Sequence, residues 1–427
     1  MRRRRRPAER ARVGIALAGG GPMGAMYELG ALRALEEAVD GLDLNDVWSY
    51  VGVSAGSFIA ACLANGLTTR QMLASVIRGD QGEYPLNPEL FFTPAYAELA
   101  RRGLMLPRLA AESLLMFGRH PARRAMSEAV AVLSQALPVG VFNNEPVREY
   151  LAELFSTDGR TDDFRKLRKR LTVVAADLET GTAIRFGDAG FDDVPISLAV
   201  QASTAVPGVY PPVRIKERDC VDGVLLKTVH ASVALEHGAR MVFCINPLVP
   251  VDVSAAARAG RVPEDVLIRL GLPAVLSQTF RTLIHSRLAV GLSRYASRYP
   301  DADIVLLEPR ADEYAMFFAN IFSFRSRIAI CERGYAATRA DLLARFDEIA
   351  PVVAEHGLAL RPEVLLDESR DLWAGLGLRP SPPDRSRGLA TISRLDRVLG
   401  ALERAVVAGA KPASRGRRLA GRAPRRG

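Results

Sequence analysis

The chain has 427 residues, 48% of them hydrophobic and 25% charged, and a formal net charge of +9. That composition excludes a disordered or fibrous protein and allows one large α/β domain or two smaller ones. The charge sits at the ends, +5 over residues 2–6 and +10 from Arg379 onward, leaving the body near −6, so the high pI is not evidence of a basic active site.

The four cysteines, Cys62, Cys220, Cys244 and Cys331, show no C-x-x-C or Cys/His metal spacing. No zinc is expected, and a reducing compartment fits. No apolar run reaches the roughly 18 residues that a spanning helix needs. Five arginines followed by Ala16-Leu17-Ala18 mimic a leader, but only Val13 to Ile15 precede that A-x-A. A true apolar leader core has roughly 7–15 residues. Residues 12–18 are therefore read as the first strand of a cytoplasmic protein.

A glycine turn follows, Gly19-Gly20-Gly21-Pro22-Met23-Gly24, and then a helix over 25–38 with Met26, Leu29, Leu32 and Leu35 on one face. Residues 47–53 form the second strand. It runs into Gly52-Val53-Ser54-Ala55-Gly56, a G-x-S-x-G, and a small-residue helix over 57–64. A right-handed βαβ crossover brings both turns to one sheet edge. One turn offers a hydroxyl and the other bare N–H groups, the layout of acyl transfer.

From about 68 to 140 the pattern is a helical insertion, broken at Pro85, Pro88, Pro94, Pro107 and Pro121. A buried-type strand over 171–176 turns at Thr180-Gly181 into 183–186, a hairpin. A helix over 197–205 precedes short strands at 213–215 and 220–221, which end at Asp222-Gly223. Then come a strand over 240–245, a helix over 266–296, a last strand over 302–307 and a helix over 321–349. The domains read as a basic arm over 1–11, an α/β domain over 12–350, a helical extension over 351–378 and a basic tail over 379–427. The tail supports no core. Within it, residues 392–407 pattern as a basic amphipathic helix, suited to a membrane surface or to docking on the protein itself.

A strand before and a helix after give the G-x-S-x-G its meaning as a nucleophile elbow at Ser54. The rival is Gly19-x-Gly21-x-x-Gly24, which satisfies the dinucleotide fingerprint. That fingerprint needs an acid at the end of the second strand to hold a ribose; here the strand ends in Ser54. The histidines are His120, His230, His237, His285 and His356, and none reads as a catalytic loop residue. Asp222, at a strand tip before a glycine, suits a base better. Partial burial raises a carboxylate's pKa toward usefulness.

With these pieces in order, the chain resembles the patatin-like phospholipases, whose pattern is G-G-G-x-[KR]-G, G-x-S-x-G and a distant D-G-[GA]. Here these are Gly19 to Gly24, Gly52 to Gly56 and Asp222-Gly223-Val224. Residues 202–212, ASTAVPGVYPP, also match a family segment, and FNNEPV at 142–147 is familiar. The resemblance covers about 13–247. Met23 departs from the family's Lys or Arg, and Val224 from its small residue.

The resemblance implies a three-layer α/β/α fold with a Ser54–Asp222 dyad. The oxyanion is held by N–H groups of Gly19, Gly20, Gly21 and Ala55, framed by the motif glycines Gly24, Gly52, Gly56 and Gly223. A lipid or phospholipid substrate is implied, with no cofactor and no metal. The basic ends suggest peripheral contact with anionic membrane. Nucleic acid is not expected, since no aromatic residue follows Trp373 to stack on bases. A dinucleotide-binding protein and an inactive lipid-binding scaffold stay open as alternatives.

Overall fold

A computed structural model describes residues 12–78, 86, 88–117, 131–313, 324–374 and 376–377. The chain divides into units 1–379 and 380–427, and every described residue lies in the first. The expected basic arm over 1–11, the tail from 379 and the amphipathic helix over 392–407 lie outside the described residues, as do Pro85, Pro121 and His120.

Eight strands form the central sheet, numbered here in chain order: β1 Val13–Leu17, β2 Ser49–Val53, β3 Arg170–Asp177, β4 Ala183–Phe186, β5 Val213–Ile215, β6 Arg218–Asp222, β7 Met241–Ile245 and β8 Asp303–Leu307. The spatial order is β8-β7-β1-β2-β3-β6-β5, with β4 also paired to β3. The first five of these run parallel; β4 and β6 are antiparallel to β3, and β5 to β6. The parallel strands VGIAL, SYVGV and MVFCI are buried along their whole length. Strands covered on both faces read as continuous apolar runs, because helices shield each side.

Two helices start at the sheet's C-terminal edge. Helix α1, Gly21–Ala38, follows β1, and α2, Ala55–Ala64, follows β2. The expected helices began at 25 and 57; in the structure the glycine turns themselves form the first helical turns. Helix α1 crosses Phe324–Ala344 so closely that a Cβ at Gly30 would stand 1.9 Å from the Cys331 carbonyl oxygen. That contact fixes the direction in which α1 aims its N-terminus. The chain from Leu358 to Leu376 returns to this side, burying Leu360, Leu365, Leu372 and Trp373 in the same core as α1.

The insertion holds Thr69–Arg78 and Tyr96–Phe117 among its described residues. The expected break at Pro107 is corrected: the second helix runs through it. One proline removes one ladder bond, and the turns on both sides keep theirs. The helix expected over 266–296 is in fact two, Val266–Arg269 and Leu272–Arg298, separated at Gly271. Helix Glu145–Phe155 had no counterpart in the sequence reading, although Asn144 and Pro146 mark its start. No described helix is long and apolar enough to cross a membrane.

Candidate active site

The two glycine turns are stitched together. The Gly56 N–H donates to the Ala18 carbonyl at 3.0 Å, while the Ala18 N–H donates to Ile245 at 3.0 Å. A Cβ at position 56 would lie 2.3 Å from that Ala18 oxygen, so only glycine lets α2 start so close to the first turn.

Ser54 sits between β2 and α2 with φ 53° and ψ −129°. A non-glycine residue with positive φ costs roughly 1–3 kcal/mol and persists only where its surroundings hold it. Three bonds do so here. The Ser54 N–H donates to Ser203 Oγ at 2.8 Å, Ser203 Oγ donates to Val174 O at 2.6 Å, and Ser57 Oγ donates to Ser54 O at 2.5 Å. Ser203 belongs to the ASTAVPGVYPP stretch. Its supporting role was not read from the sequence, because nothing in spacing says that its hydroxyl reaches another strand.

Asp222 approaches from the opposite direction. Val53 pairs with Val174 and Asp222 with Ala175, so β2 and β6 meet end to end along one side of β3, while β4 takes the other side. That register brings Ser54, just past the end of β2, and Asp222, the last residue of β6, against each other although they stand 168 positions apart in sequence. Asp222 is fully buried. Its N–H donates to Ala205 O at 3.0 Å, and its Oδ1 accepts from the Val224 N–H at 2.9 Å. Burial pushes its pKa up to about 7, while the Ser54 hydroxyl and the Val224 N–H act in the other direction. Although Ser54 is close enough to act as a hydrogen-bonding neighbour, Oδ2 closes no bond of ordinary length. It is the carboxylate oxygen left for a proton.

Gly19 faces this pair. A Cβ there would stand 2.9 Å from Ser54 Cβ, 3.4 Å from Ser54 Oγ and 3.2 Å from Val224 Cγ2. Val224, the residue that departs from the family pattern, packs with Val53 and Ile284 beside the loop. Gly20 and Gly24 rest against Pro247, whose Cγ would be 2.9 and 3.1 Å from added Cβ atoms. The N–H groups of Gly19, Gly20, Gly21 and Ala55 donate to none of the described backbone carbonyls. Gly21 and Ala55 open their helices, where N–H groups have no intrahelical acceptor and the dipoles favour negative charge. Two helix N-termini thus flank the Ser54 hydroxyl.

Met23 is partly buried against the core. Among the described histidines none pairs with Ser54. His237 meets Asp188 at 3.0 Å, His285 faces Glu308 at 3.8 Å and His356 bonds Asp303 at 2.8 Å. His230 is buried behind the aspartate turn in a backbone hydrogen bond with Gly223; burial first, then Lys227, lowers its pKa to about 4 and keeps it neutral. No group of three or more metal-ligating side chains occurs among the described residues.

Ser54, Ala55 and Gly21 also line an apolar cavity with about 880 Å³ of empty space, part of it open to solvent. Leu29, Met72, Val76 and Leu154 form other parts of its wall, supplied by α1, the first insertion helix and Glu145–Phe155, and Leu67 adds to it from the loop after α2.

Several solved structures are similar to this chain. VipD from Legionella pneumophila is 15% identical, with 78% of this chain and 67% of that one covered and a TM-score of 0.35. ExoU, a type III effector protein of Pseudomonas aeruginosa, is 15% identical, with 95% and 66% covered and a TM-score of 0.33. Human GIVD cytosolic phospholipase A2 in complex with methyl gamma-linolenyl fluorophosphonate is 15% identical, with 59% and 43% covered and a TM-score of 0.24. The chain thus spans about two thirds of the first two and less than half of the third. The family model described as patatin-like phospholipase matches residues 15–235, just over half of the chain and a span holding both glycine turns and Asp222. The chain belongs to the patatin-like phospholipase family.

Proposed function

We propose that this protein is a serine acyl hydrolase that cleaves fatty-acyl esters of lipids, phospholipids among them, with Ser54 as nucleophile and Asp222 as the only side-chain base. The observation that carries this is one constellation. A serine in a strained elbow lines an apolar cavity, beside a buried carboxyl poised near pH 7. A fatty-acyl chain suits the apolar wall, and its ester carbon then reaches Ser54.

Ser54 Oγ attacks the carbonyl carbon while Asp222 Oδ2 takes the hydroxyl proton. The negative charge that forms on the carbonyl oxygen is held by N–H groups of Gly19, Gly20, Gly21 and Ala55. Collapse breaks the ester C–O bond, and the leaving alcohol takes the proton from Asp222. An acyl-Ser54 ester remains. Water then gives a proton to Asp222 and its oxygen attacks the acyl carbon. The second collapse releases the fatty acid and returns a proton to Ser54 Oγ. A base with pKa near working pH is deprotonated often enough to accept a proton and acidic enough to return it. The positive charge absent at Met23 leaves the work at the oxyanion to backbone dipoles. The basic ends add attraction to an anionic lipid surface.

Labelling with a fluorophosphonate probe tests the reading. The parent protein should label and hydrolyse a short-chain ester, and Ser54→Ala should do neither while keeping its melting temperature. Full activity in Ser54→Ala rules the reading out. Saturable binding of NAD or FAD by the purified protein supports the dinucleotide alternative instead.

A further inference from the structure

We propose that the outward face of helix Leu272–Arg298, together with Ile268 and Leu270 just before it, docks on a membrane surface containing anionic lipid. This helix carries two apolar stripes. The inward one buries Ile284 and Leu288, with Leu292 and Tyr295 packed beneath. The outward one comprises Leu272, Leu276, Phe280, Leu283 and Val290, spaced by three, four or seven residues and exposed by 69%, 44%, 47%, 55% and 51%. Ile268 and Leu270 extend it, at 73% and 50% exposed. A surface helix normally turns one apolar stripe inward and a polar face to water. A second contiguous apolar stripe marks an interaction surface.

Charge selects the occupant. No aspartate or glutamate occurs between Asp265 and Asp301, while Arg269, Arg281, Arg287, Arg294 and Arg298 do. Arg287, Arg294 and Arg298 are exposed. Exposed Leu and Phe flanked by arginines, with no acid, is the composition of a helix lying in the headgroup layer of an anionic bilayer. A second copy of this face would bring arginines against arginines. The chain's own tail from Arg379, at +10, would do the same. Like charges disfavour both, whereas anionic headgroups complement the face.

The inward side of the same helix touches the turn beside the candidate site. Ile284 packs on Val53 and Val224, Thr228 Oγ1 donates to Ile284 O at 3.2 Å, and Arg287 Nη1 donates to Leu225 O at 3.0 Å. The helix therefore lies over the turn that carries Asp222. A second apolar strip, Leu137, Val139 and Val141, joins the cavity through the Val141 N–H, which donates to Val209 O at 3.0 Å beside the cavity residue Tyr210. Docking through the helix places lipid beside the turn that carries Asp222, while Leu288, Leu292 and Tyr295 pack on the sheet face of Ala16, Val51 and Val242, opposite to the cavity wall. It needs no catalysis, so Ser54→Ala should bind as the parent does, and failure of the hydrolase reading leaves this test intact.

The experiment is co-sedimentation of the full chain with vesicles of phosphatidylcholine alone and of phosphatidylcholine with phosphatidylserine. The parent should sediment with the anionic vesicles and far less with the neutral ones. A triple variant, Leu276→Ser with Phe280→Ser and Leu283→Ser, should lose about tenfold or more in partitioning, and Arg287→Gln with Arg294→Gln and Arg298→Gln a comparable amount. All six side chains are exposed, so circular dichroism and the melting temperature should stay close to the parent's; the single Leu283→Ser serves if the triple does not fold. Parent-like binding by folded triple variants, or no binding by the parent, overturns the proposal. So does a parent dimer that the serine variant converts to monomer, which assigns the face to a second copy. Vesicle binding that rises when the chain is cut before Arg379 assigns it to the tail.

Discussion

The two glycine-rich turns follow neighbouring parallel strands and open neighbouring helices, yet they do opposite work. The first, Gly19 to Gly24, removes side chains: Gly19 and Gly20 leave no room for a Cβ, and the backbone N–H groups are bare. The second, Gly52 to Gly56, uses its glycines to let one side chain stand out. Ser54 is held at positive φ by Ser203 and Ser57. Under the proposed function the same strand–turn–helix unit would make an anion receptor in one copy and a nucleophile in the next. What differs is the residue at the tip and the bonds that brace it. Asp222, the proposed proton acceptor, comes from neither turn; it closes β6, which pairs with the far end of the same β3 edge.

The largest effect that sharpens this division is expected at Asp222. Asp222→Asn keeps an acceptor for the Val224 N–H but cannot take a proton, so kcat should fall by about 10²–10⁴. In the parent, kcat/KM should rise with pH through about 7, the value to which burial lifts this carboxyl. Stability runs the other way. Its pKa is 3.8 ordinarily and about 7 when folded, so below pH 4 the group is neutral in both states and folding pays nothing for it. As pH rises toward 7 the unfolded chain ionises first and the folded state loses that advantage. Asp222→Asn should therefore raise the melting temperature at about pH 8 and leave it unchanged at about pH 4. A melting curve that ignores pH, or full activity in the variant, breaks the assignment.

Next comes a pair of glycine variants, one from each turn. Gly19→Ala sets a methyl 2.9 Å from Ser54 Cβ and 3.2 Å from Val224 Cγ2, so the glycine loop, and not the braced elbow, must draw back by a few tenths of an ångström. The protein should fold, with kcat down by about 10²–10³, as when an oxyanion donor is lost. Gly56→Ala sets its methyl 2.3 Å from the Ala18 carbonyl oxygen, which is backbone and braced. Overpacking of that kind costs about 1–3 kcal/mol or more, and it should appear in the urea midpoint. If Gly19→Ala loses stability and Gly56→Ala only turnover, the division of labour between the turns is reversed.

Much of this was legible because it is local. Apolar runs broken by glycine placed β1, β2, β3 and β7 to within two residues, and the elbow at Ser54 followed from its neighbours. Asp222 was picked out as a base by its place at a strand tip before a glycine, and the family resemblance then implied the dyad; how the two residues meet was not legible, since it depends on β2 and β6 sharing an edge of β3, a register that no spacing encodes. Ser203 and Pro247 escaped for the same reason: each acts on a residue far away in sequence. Helix Glu145–Phe155 escaped although its cap was visible, and Pro107 misled because a proline inside a long helix costs one bond, not the helix.

The smallest effect, and the one most able to break the comparison, concerns the histidines. If a histidine carried the proton, the acceptor would not be the strand tip at Asp222, and the pairing of an N–H turn with a hydroxyl turn would need a third partner. The structure engages the candidates elsewhere. His356 bonds Asp303 beside β8, and His285 faces Glu308, whose other oxygen accepts from Asn246 Nδ2 at 2.5 Å. Removing His356 exposes Asp303 to more water and should cost about 1 kcal/mol, as for an ordinary hydrogen bond. Removing His285 takes away a partly exposed side chain on the surface helix. Neither change reaches Ser54. Steady-state kinetics on a soluble ester should find both alanine variants within about a factor of three of the parent, far from the 10²–10⁴ that loss of a general base brings. A histidine variant as inactive as Asp222→Asn would turn the site into a triad and make Asp222 the residue that orients it.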